Sequence, residues 1–98
     1  MSTSGIALSG MAAAQQRLQA HAHNLANLGT DNFRRSTTAQ TAQVTGCVTA
    51  TWQRAPAAGA DMAGDLVGQM SAGHAFTANL AVFKTHDAMT GALLDALA

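Results

Sequence analysis

A heptad pattern of apolar residues predicts an N-terminal helix over residues 4–28. Met11, Leu18 and Leu25 recur at every seventh position, which is the spacing of a seam between two packed helices. Gly29 follows the pattern and is a typical residue at the end of a helix. We therefore expect an amphipathic helix that packs along one face on a partner.

A second, longer helix is predicted over residues 61–98, with Asp61 as a favourable N-cap. The large apolar residues of its predicted seam are Leu66, Phe76, Leu80 and Phe83. Leu94 extends this seam, whereas Met89 and Leu93 open a second apolar face. A helix with two such faces can pack on its partner within the chain and on another molecule at once.

The segment between the helices, residues 29–60, breaks the helical pattern. Strand-forming residues concentrate between Thr37 and Trp52, and the stretch of residues 55–60 has the composition of a linker. We expect a turn, then one short strand, a hairpin or an extended arm, then the linker. An isolated hairpin is marginally stable in water, so this part needs support from the helices or from a neighbouring subunit.

The composition favours close helix packing within one domain over residues 1–98. Ala makes up nearly a quarter of the chain, and Trp52 and three Phe are its aromatic residues. Such side chains cannot fill a wide core. The predicted fold is therefore mostly α, with long N- and C-terminal helices packed as an antiparallel coiled-coil-like hairpin and a short β-strand, hairpin or extended arm between them.

Charge and hydropathy argue against several partners. Five basic residues balance five acidic ones, so neither nucleic-acid binding nor membrane-surface binding is expected. We predict that Arg34 and Arg35 belong to a solvated turn. No apolar run reaches the length of about 18 residues needed for a membrane span. The first residues also lack the pattern of a cleavable signal peptide.

The residues that could carry chemistry do not form a recognisable site. His21 and His23 point to different sides of a helix and make a poor metal pair. Cys47 is the single cysteine, which excludes an internal disulfide and favours a small packed residue over a nucleophile. We predict no enzyme activity, no metal site and no cofactor.

The end of the first predicted helix carries an ordered set of residues that has a known counterpart. Its members are Asn24, Ala26, Asn27, Thr30, Phe33 and Arg34. This order resembles the N-terminal signature of bacterial flagellar rod, hook and hook–filament junction proteins, N-x-A-N-x-x-T-x-G-F-K/R. Asn32 stands where that family usually has Gly.

The second predicted helix resembles the C-terminal helix of the same family. The matching positions are Ala72, Phe76, Ala78, Asn79, Lys84, Thr85, Asp87, Met89, Leu93 and Leu94. His74, Thr77 and Phe83 depart from the residues that the family usually has there. Losing the usual Arg and Glu could remove charge pairs between subunits.

The resemblance implies a structural subunit that assembles through its terminal helices. Family members pass through the flagellar type III export apparatus without a cleavable signal peptide and polymerise in the axial structure, here in the periplasmic rod of the basal body. The short middle segment is most similar to the short proximal rod proteins. The implied partners are further copies of the chain, other rod or hook subunits and the export apparatus.

Several residues receive interhelix or assembly roles from the resemblance together with the heptad pattern. The seam residues listed above would bury apolar area between the helices, and the three Asn residues, Asn24, Asn27 and Asn79, would bind the turn from Thr30 to Phe33 and a packed neighbour. Phe33 either covers the helix end or anchors an interface.

A different class of function remains open. The same helical hairpin could form a discrete dimer or four-helix bundle that acts as a binding or assembly module. The outcome depends on whether Met89, Leu93 and Leu94 seal a closed oligomer or remain free for addition. In either case we expect the isolated chain to be a homo-oligomer.

Overall fold

The computed structural model describes residues 2–98 as two long helices joined by an antiparallel β-hairpin. The elements in chain order are α1 Thr3–Ala26, β1 Ser36–Ala42, β2 Val48–Arg54 and α2 Met62–Leu97. The molecule is elongated, with extents of 63 × 24 × 14 Å, because α2 alone measures about 54 Å at 1.5 Å per residue. The predicted fold class is confirmed.

Short polar residues set the helix ends. The Ser2 side chain accepts a hydrogen bond from the Gly5 N–H, and the predicted N-cap of α2, Asp61, accepts one from the Gly64 N–H. Helix α1 ends at Ala26, three residues before Gly29, and Asn27 is its C-cap. The predicted end is wrong because the side chain of Asn27 binds the last turn and ends the helix before Gly29 is reached.

The two helices run antiparallel and approach each other closely through small residues. A Cβ added to Gly10 of α1 would lie 2.5 Å from the Asn79 side chain, and one added to Gly68 of α2 would collide with the His21 ring. The buried apolar residues are Ala7, Met11, Ala13, Ala14, Ala20, Cys47 and Ala72. The core is thus built mainly from alanine, as the composition predicts.

The seam predicted for α2 is partly wrong. Asp65 and Ala72 are the buried residues of α2, whereas Leu66 is 44% exposed. One of the two sets of heptad positions that form the seam therefore begins at Asp65, one residue before the predicted Leu66. The physical reason is the close approach of the helices, which leaves room for small side chains on the axis of contact and moves leucines to its borders.

The hairpin lies along α1. Its register pairs Ser36 with Arg54 and Ala42 with Val48, and Gly46 takes the left-handed conformation in the connecting turn (φ 93°) beside Ile6. The backbone of both strands lies close to α1 and not to α2, and toward α2 the side chains of Gln40 and Val48 line a small cavity together with Asn79. Of the alternatives that the sequence left open, the structure has the hairpin, supported by the N-terminal helix.

None of the helices within residues 2–98 combines the length and the apolar character that crossing a bilayer requires.

We expect substitution of Gly68 by Ala to lower the free energy of unfolding by about 1–3 kcal/mol. The added Cβ would collide with the His21 ring, which is itself held by Asp65. Gly73→Ala is a matched control on the same helix, because nothing lies within 4 Å of its added Cβ, and it should stabilise by about 0.5–1 kcal/mol. Urea denaturation followed by circular dichroism measures both. Equal effects at the two positions would contradict the close approach.

Candidate functional site: a buried carboxylate cluster and an open helix end

The carboxylate of Asp65 lies at the junction of both helices and the hairpin. It is fully buried and accepts hydrogen bonds from His21 Nδ1 at 2.8 Å and from Asn24 Nδ2 at 3.1 Å. Two nitrogens of the Arg35 guanidinium donate to the carboxylate, Nη2 to Oδ1 at 2.6 Å and Nε to Oδ2 at 3.2 Å. Bidentate pairs of this kind combine charge with fixed geometry. Three parts of the chain therefore converge on one side chain.

Asn24 extends this cluster into the sheet. Its side chain donates to the Ser36 carbonyl and accepts from the Ser36 N–H, both at 2.7 Å. At the start of β1, the Asn24 side chain thus makes the two hydrogen bonds that the backbone of a neighbouring strand would make. Because Asn24 also donates to Asp65, the hairpin and α2 are aligned on the same residue of α1.

The charges in this cluster stabilise each other. Burial raises the pKa of the Asp65 carboxyl, but the hydrogen bonds from Arg35, His21 and Asn24, together with the positive charge of Arg35, outweigh burial and hold that pKa below its usual value. The hydrogen bond to Asp65 in turn raises the pKa of Arg35 despite its partial burial. The pair is therefore ionised at neutral pH.

The polar side chains of this cluster are bound to one another. Asp65 is enclosed and fully engaged, and among residues 2–98 no buried side-chain nitrogen or oxygen lacks a hydrogen-bond partner. In the same range, no three His, Cys, Asp or Glu side chains come together as a metal site would require. A cavity of about 300 Å³ beside the cluster is lined by polar turn residues and by the Arg35–Asp65 pair, whose charges already neutralise each other.

The turn after α1 is held by the residues of the N-terminal motif. Asn27 Nδ2 donates to the His23 carbonyl at 2.8 Å, and Thr30 Oγ1 donates to Asn27 Oδ1 at 3.1 Å. The Phe33 ring meets the His23 ring edge to face at 5.4 Å, so Phe33 lies over the last turn of α1. Asn32 has φ 56°, a conformation that Gly adopts freely and Asn tolerates better than most residues. This explains how Asn can stand where the family signature has Gly.

Helix α2 extends beyond the start of α1. Thr3 lies beside His86 and Met89, so residues 90–97 of α2 have no α1 residue opposite them. The heptad of Asp65, Ala72 and Asn79 nevertheless continues to Leu93, and Leu97 lies four residues further along the same face. Leu93 therefore belongs to the interhelix face and not to the second apolar face on which the sequence pattern placed it. Leu93 is 66% exposed and Leu97 is 84% exposed. The end of α2 is an open apolar surface that continues an internal one.

The predicted site residues divide into three groups by burial. Two of them, Met11 and Asn24, are buried. Half-buried are Leu18, Leu25, Asn27, Phe33, Phe76, Asn79, Leu80 and Phe83. Exposed are Thr30, Leu66, Met89, Leu93 and Leu94. The turn residues lie together, Asn79 packs against Gly10, and Met89, Leu93 and Leu94 lie apart from the rest near the end of α2.

Sequence reasoning missed the most connected residues of this site. Arg35 was expected in a solvated turn, but it binds Asp65, whereas its neighbour Arg34 is exposed and donates to the Ala55 carbonyl at 2.6 Å. Asp65 precedes Ala72 and Asn79 by seven and fourteen positions. This seven-residue spacing of small and polar residues is the signal that could have predicted which face of α2 contacts α1. The leucines beside these positions obscure it.

We expect Asp65→Asn to destabilise the protein by about 3–5 kcal/mol, because it leaves the partly buried Arg35 guanidinium without its charge partner. Asp95→Asn removes the same charge from an exposed position of α2 and should change stability by less than about 0.5 kcal/mol. Urea titration with circular dichroism measures the difference. If the two variants were equally stable, the cluster would not hold the fold together.

Acid should destabilise the protein through the same carboxyl. The folded pKa of Asp65 is lowered, so its contribution is complete above the unfolded value of about 3.9 and is lost as the pH falls through the lower folded pKa. The groups that face it are His21 from α1 and Arg35 from the turn. The free energy of unfolding, measured from about pH 6 downward, should fall steeply below about pH 4. In Asp65→Asn that fall should be shallower, and an unchanged slope would contradict this assignment.

Comparison with known proteins finds similarity in the N-terminal third of the chain. No curated protein matches the chain. A family model described as "Flagella basal body rod protein" matches residues 6–34, which comprise most of α1 and the turn that carries Asn27, Thr30 and Phe33. This match confirms the resemblance to rod and hook axial proteins predicted from the sequence, over the N-terminal helix and the turn that follows it.

Proposed function

We propose that this protein is a structural axial subunit of the bacterial flagellar rod, similar to the short proximal rod proteins, and that it assembles through its terminal helices. The observation that carries the proposal is the open end of α2, where the interhelix face continues without a partner among residues 2–98. The match of residues 6–34 to the rod proteins supports the same role.

The exposed apolar residues favour assembly with neighbouring subunits over an isolated monomer. Besides Leu93 and Leu97, Met89 is 62% exposed and Leu94 is 63% exposed. Covering one such leucine contributes about 1.5–3 kcal/mol. A second helix laid on this surface would bury several of them together.

The small core points in the same direction. Ala side chains contribute little buried area, and for a chain of this size the gain from burial nearly cancels the loss of conformational entropy. A subunit with these properties reaches its full stability when neighbours bind the folded form. Low intrinsic stability also suits a protein that crosses an export channel unfolded, as the rod family does by way of the flagellar type III apparatus, before it folds in the periplasmic part of the basal body.

Open-ended assembly follows from the position of the exposed surface. The exposed apolar surface at the end of α2 differs from the surface around α1. A contact that joins the α2 end of one copy to a different part of its neighbour is therefore heterologous. Contacts of that kind produce filaments unless they close into a ring. Other rod or hook-type subunits with the same helices are the partners that this geometry suits.

The alternative is a discrete oligomer that acts as a binding or assembly module. If two α2 ends cover each other, Met89, Leu93 and Leu94 become internal and no surface remains for addition. A closed dimer or four-helix bundle would then form.

Light scattering after size-exclusion chromatography, over a concentration series of the full chain, separates the two proposals. The axial subunit should lengthen into open-ended polymers as concentration rises, and Leu93→Ser should raise the concentration required by about ten- to a hundredfold. Met70→Ser is the control, because Met70 is as exposed as Leu93 (65% against 66%) and lies on the same helix, about 34 Å before it at 1.5 Å per residue, and it should behave as the unchanged chain. A concentration-independent dimer or tetramer that Leu93→Ser dissociates would favour the alternative.

A further inference from the structure

The outer edge of β2 offers unpaired backbone groups at alternate residues. Backbone hydrogen bonds join Gln43 to Cys47 and Ala55 to Arg35 at the two ends of the hairpin, so in this register the odd-numbered residues form the hydrogen-bonded pairs. The N–H and C=O groups of the even-numbered residues consequently point away from the partner strand. On β2 these residues are Val48, Ala50, Trp52 and Arg54.

Helix α1 covers only the beginning of this edge. Ser9 Oγ accepts a hydrogen bond from the Val48 N–H at 3.1 Å. Within residues 2–98, no hydrogen bond reaches the N–H groups of Ala50, Trp52 or Arg54, and the elements whose backbones lie close to β2 are α1 and β1. From Ala50 onward the edge is therefore free.

This free edge lacks the devices that usually prevent strand pairing. Protected edges carry charges, prolines or bulges. Here the pairing of β1 with β2 is continuous, so β2 has no bulge, and Arg54 is its single charged residue. Residues 51–54 are all exposed, and Trp52, the one tryptophan of the chain, is 46% exposed in the middle of the free part.

We propose that the outer edge of β2 pairs antiparallel with the same edge of a second copy, about a two-fold axis at Trp52. This register places Ala50 opposite Arg54 of the second copy and Trp52 opposite its counterpart. All the free groups of Ala50, Trp52 and Arg54 then find partners, which gives six backbone hydrogen bonds. Two hairpins become one four-stranded sheet, a size that is stable where two strands are marginal.

A second copy fits this edge for reasons of symmetry and charge. The pattern of donors and acceptors is the same when read from either copy, which a two-fold contact requires. Arg54 faces Ala50 and not a second Arg, so no like charges meet. The two Trp52 rings lie across the axis, where an aromatic pair adds about 0.5–1.5 kcal/mol beyond its buried area.

The outer edge of β1 is less available for the same contact. The N–H and C=O of Ser36 are already bound by Asn24, and residues 37–39 are half-buried. The residues at its free end, Gln40 and Ala42, offer no aromatic side chain. The pairing of β2 edges needs only the hairpin, so it does not depend on the role proposed above for the helices.

Disulfide trapping in the full chain tests this pairing. In a Cys47→Ala background, Thr51→Cys with Gln53→Cys places each new thiol opposite a thiol of the second copy, as a non-hydrogen-bonded pair with Cα atoms about 4.5 Å apart, which a disulfide can span. The matched control is Ala39→Cys with Thr41→Cys, which has the same spacing on β1. Under mild oxidation the β2 variant should form a covalent dimer, and the β1 variant should remain monomeric on a non-reducing gel.

A pair of proline variants checks that the backbone makes the contact. Ala50→Pro and Ala42→Pro each remove one outward N–H, the first from the β2 edge and the second from the β1 edge, and neither N–H belongs to the ladder within the hairpin. Added to the β2 cysteine variant, Ala50→Pro should abolish the covalent dimer and Ala42→Pro should preserve it, with unchanged helical circular dichroism in both. Absence of the dimer, equal trapping at β1, or a dimer insensitive to Ala50→Pro would overturn the proposal.

Discussion

The ionic and hydrogen-bonded contacts of Asp65 fix how α1, α2 and the start of the hairpin are aligned. The backbone of the hairpin lies close to α1 and not to α2, so Arg35 and Asn24 are the residues that link its start to α2 through hydrogen bonds. Removing a carboxylate from water is costly unless its partners replace the lost hydration. Here four hydrogen bonds do so, and the orientation of α1, β1 and α2 satisfies all of them together.

The alanine core explains why so much depends on one polar cluster. Small side chains let the helices approach until Gly10 meets Asn79 and Gly68 meets His21, but they bury little apolar area. Apolar burial has no preferred direction, so it controls the register between α1 and α2 only weakly. If one helix slides along the other, one alanine can take the place of the next. The directional bonds of Asp65 supply that control at one end of the pair of helices. At the other end, α2 continues alone with its leucines exposed.

The sequence predicts the elements of this fold better than the contacts between them. Heptad spacing and the Thr-rich middle indicate two helices and a strand-forming segment between them, because periodicity and strand propensity are local properties. The choice of a hairpin over a single strand or an extended arm depends on contacts with α1, so the sequence left it open. The seam of α2 was placed partly on Leu66 because large apolar residues are usually buried, a rule that fails where helices are too close to admit them. The role of Asp65 depends on Arg35, thirty positions away, and no local pattern indicates that such a charge is enclosed. The motif residues Asn27 and Thr30 did point to the turn, because their bonds are short-range.

The two open features of the molecule differ in what they can recognise. The end of α2 offers apolar side chains without directional groups, so it accepts any helix of suitable shape and owes its selectivity to packing. The free edge of β2 offers backbone donors and acceptors in fixed order, so it selects register and direction but not side chains. The two features lie on different elements, one at the end of α2 and the other on the hairpin, and the backbones of these elements do not lie close to each other. The Asp65 cluster holds the hairpin and α2 to α1. The free edge of β2 and the end of α2 therefore have a fixed relative orientation before either of them binds a neighbour. A subunit of a filament needs that property, because each added copy must present its next contact in a defined direction.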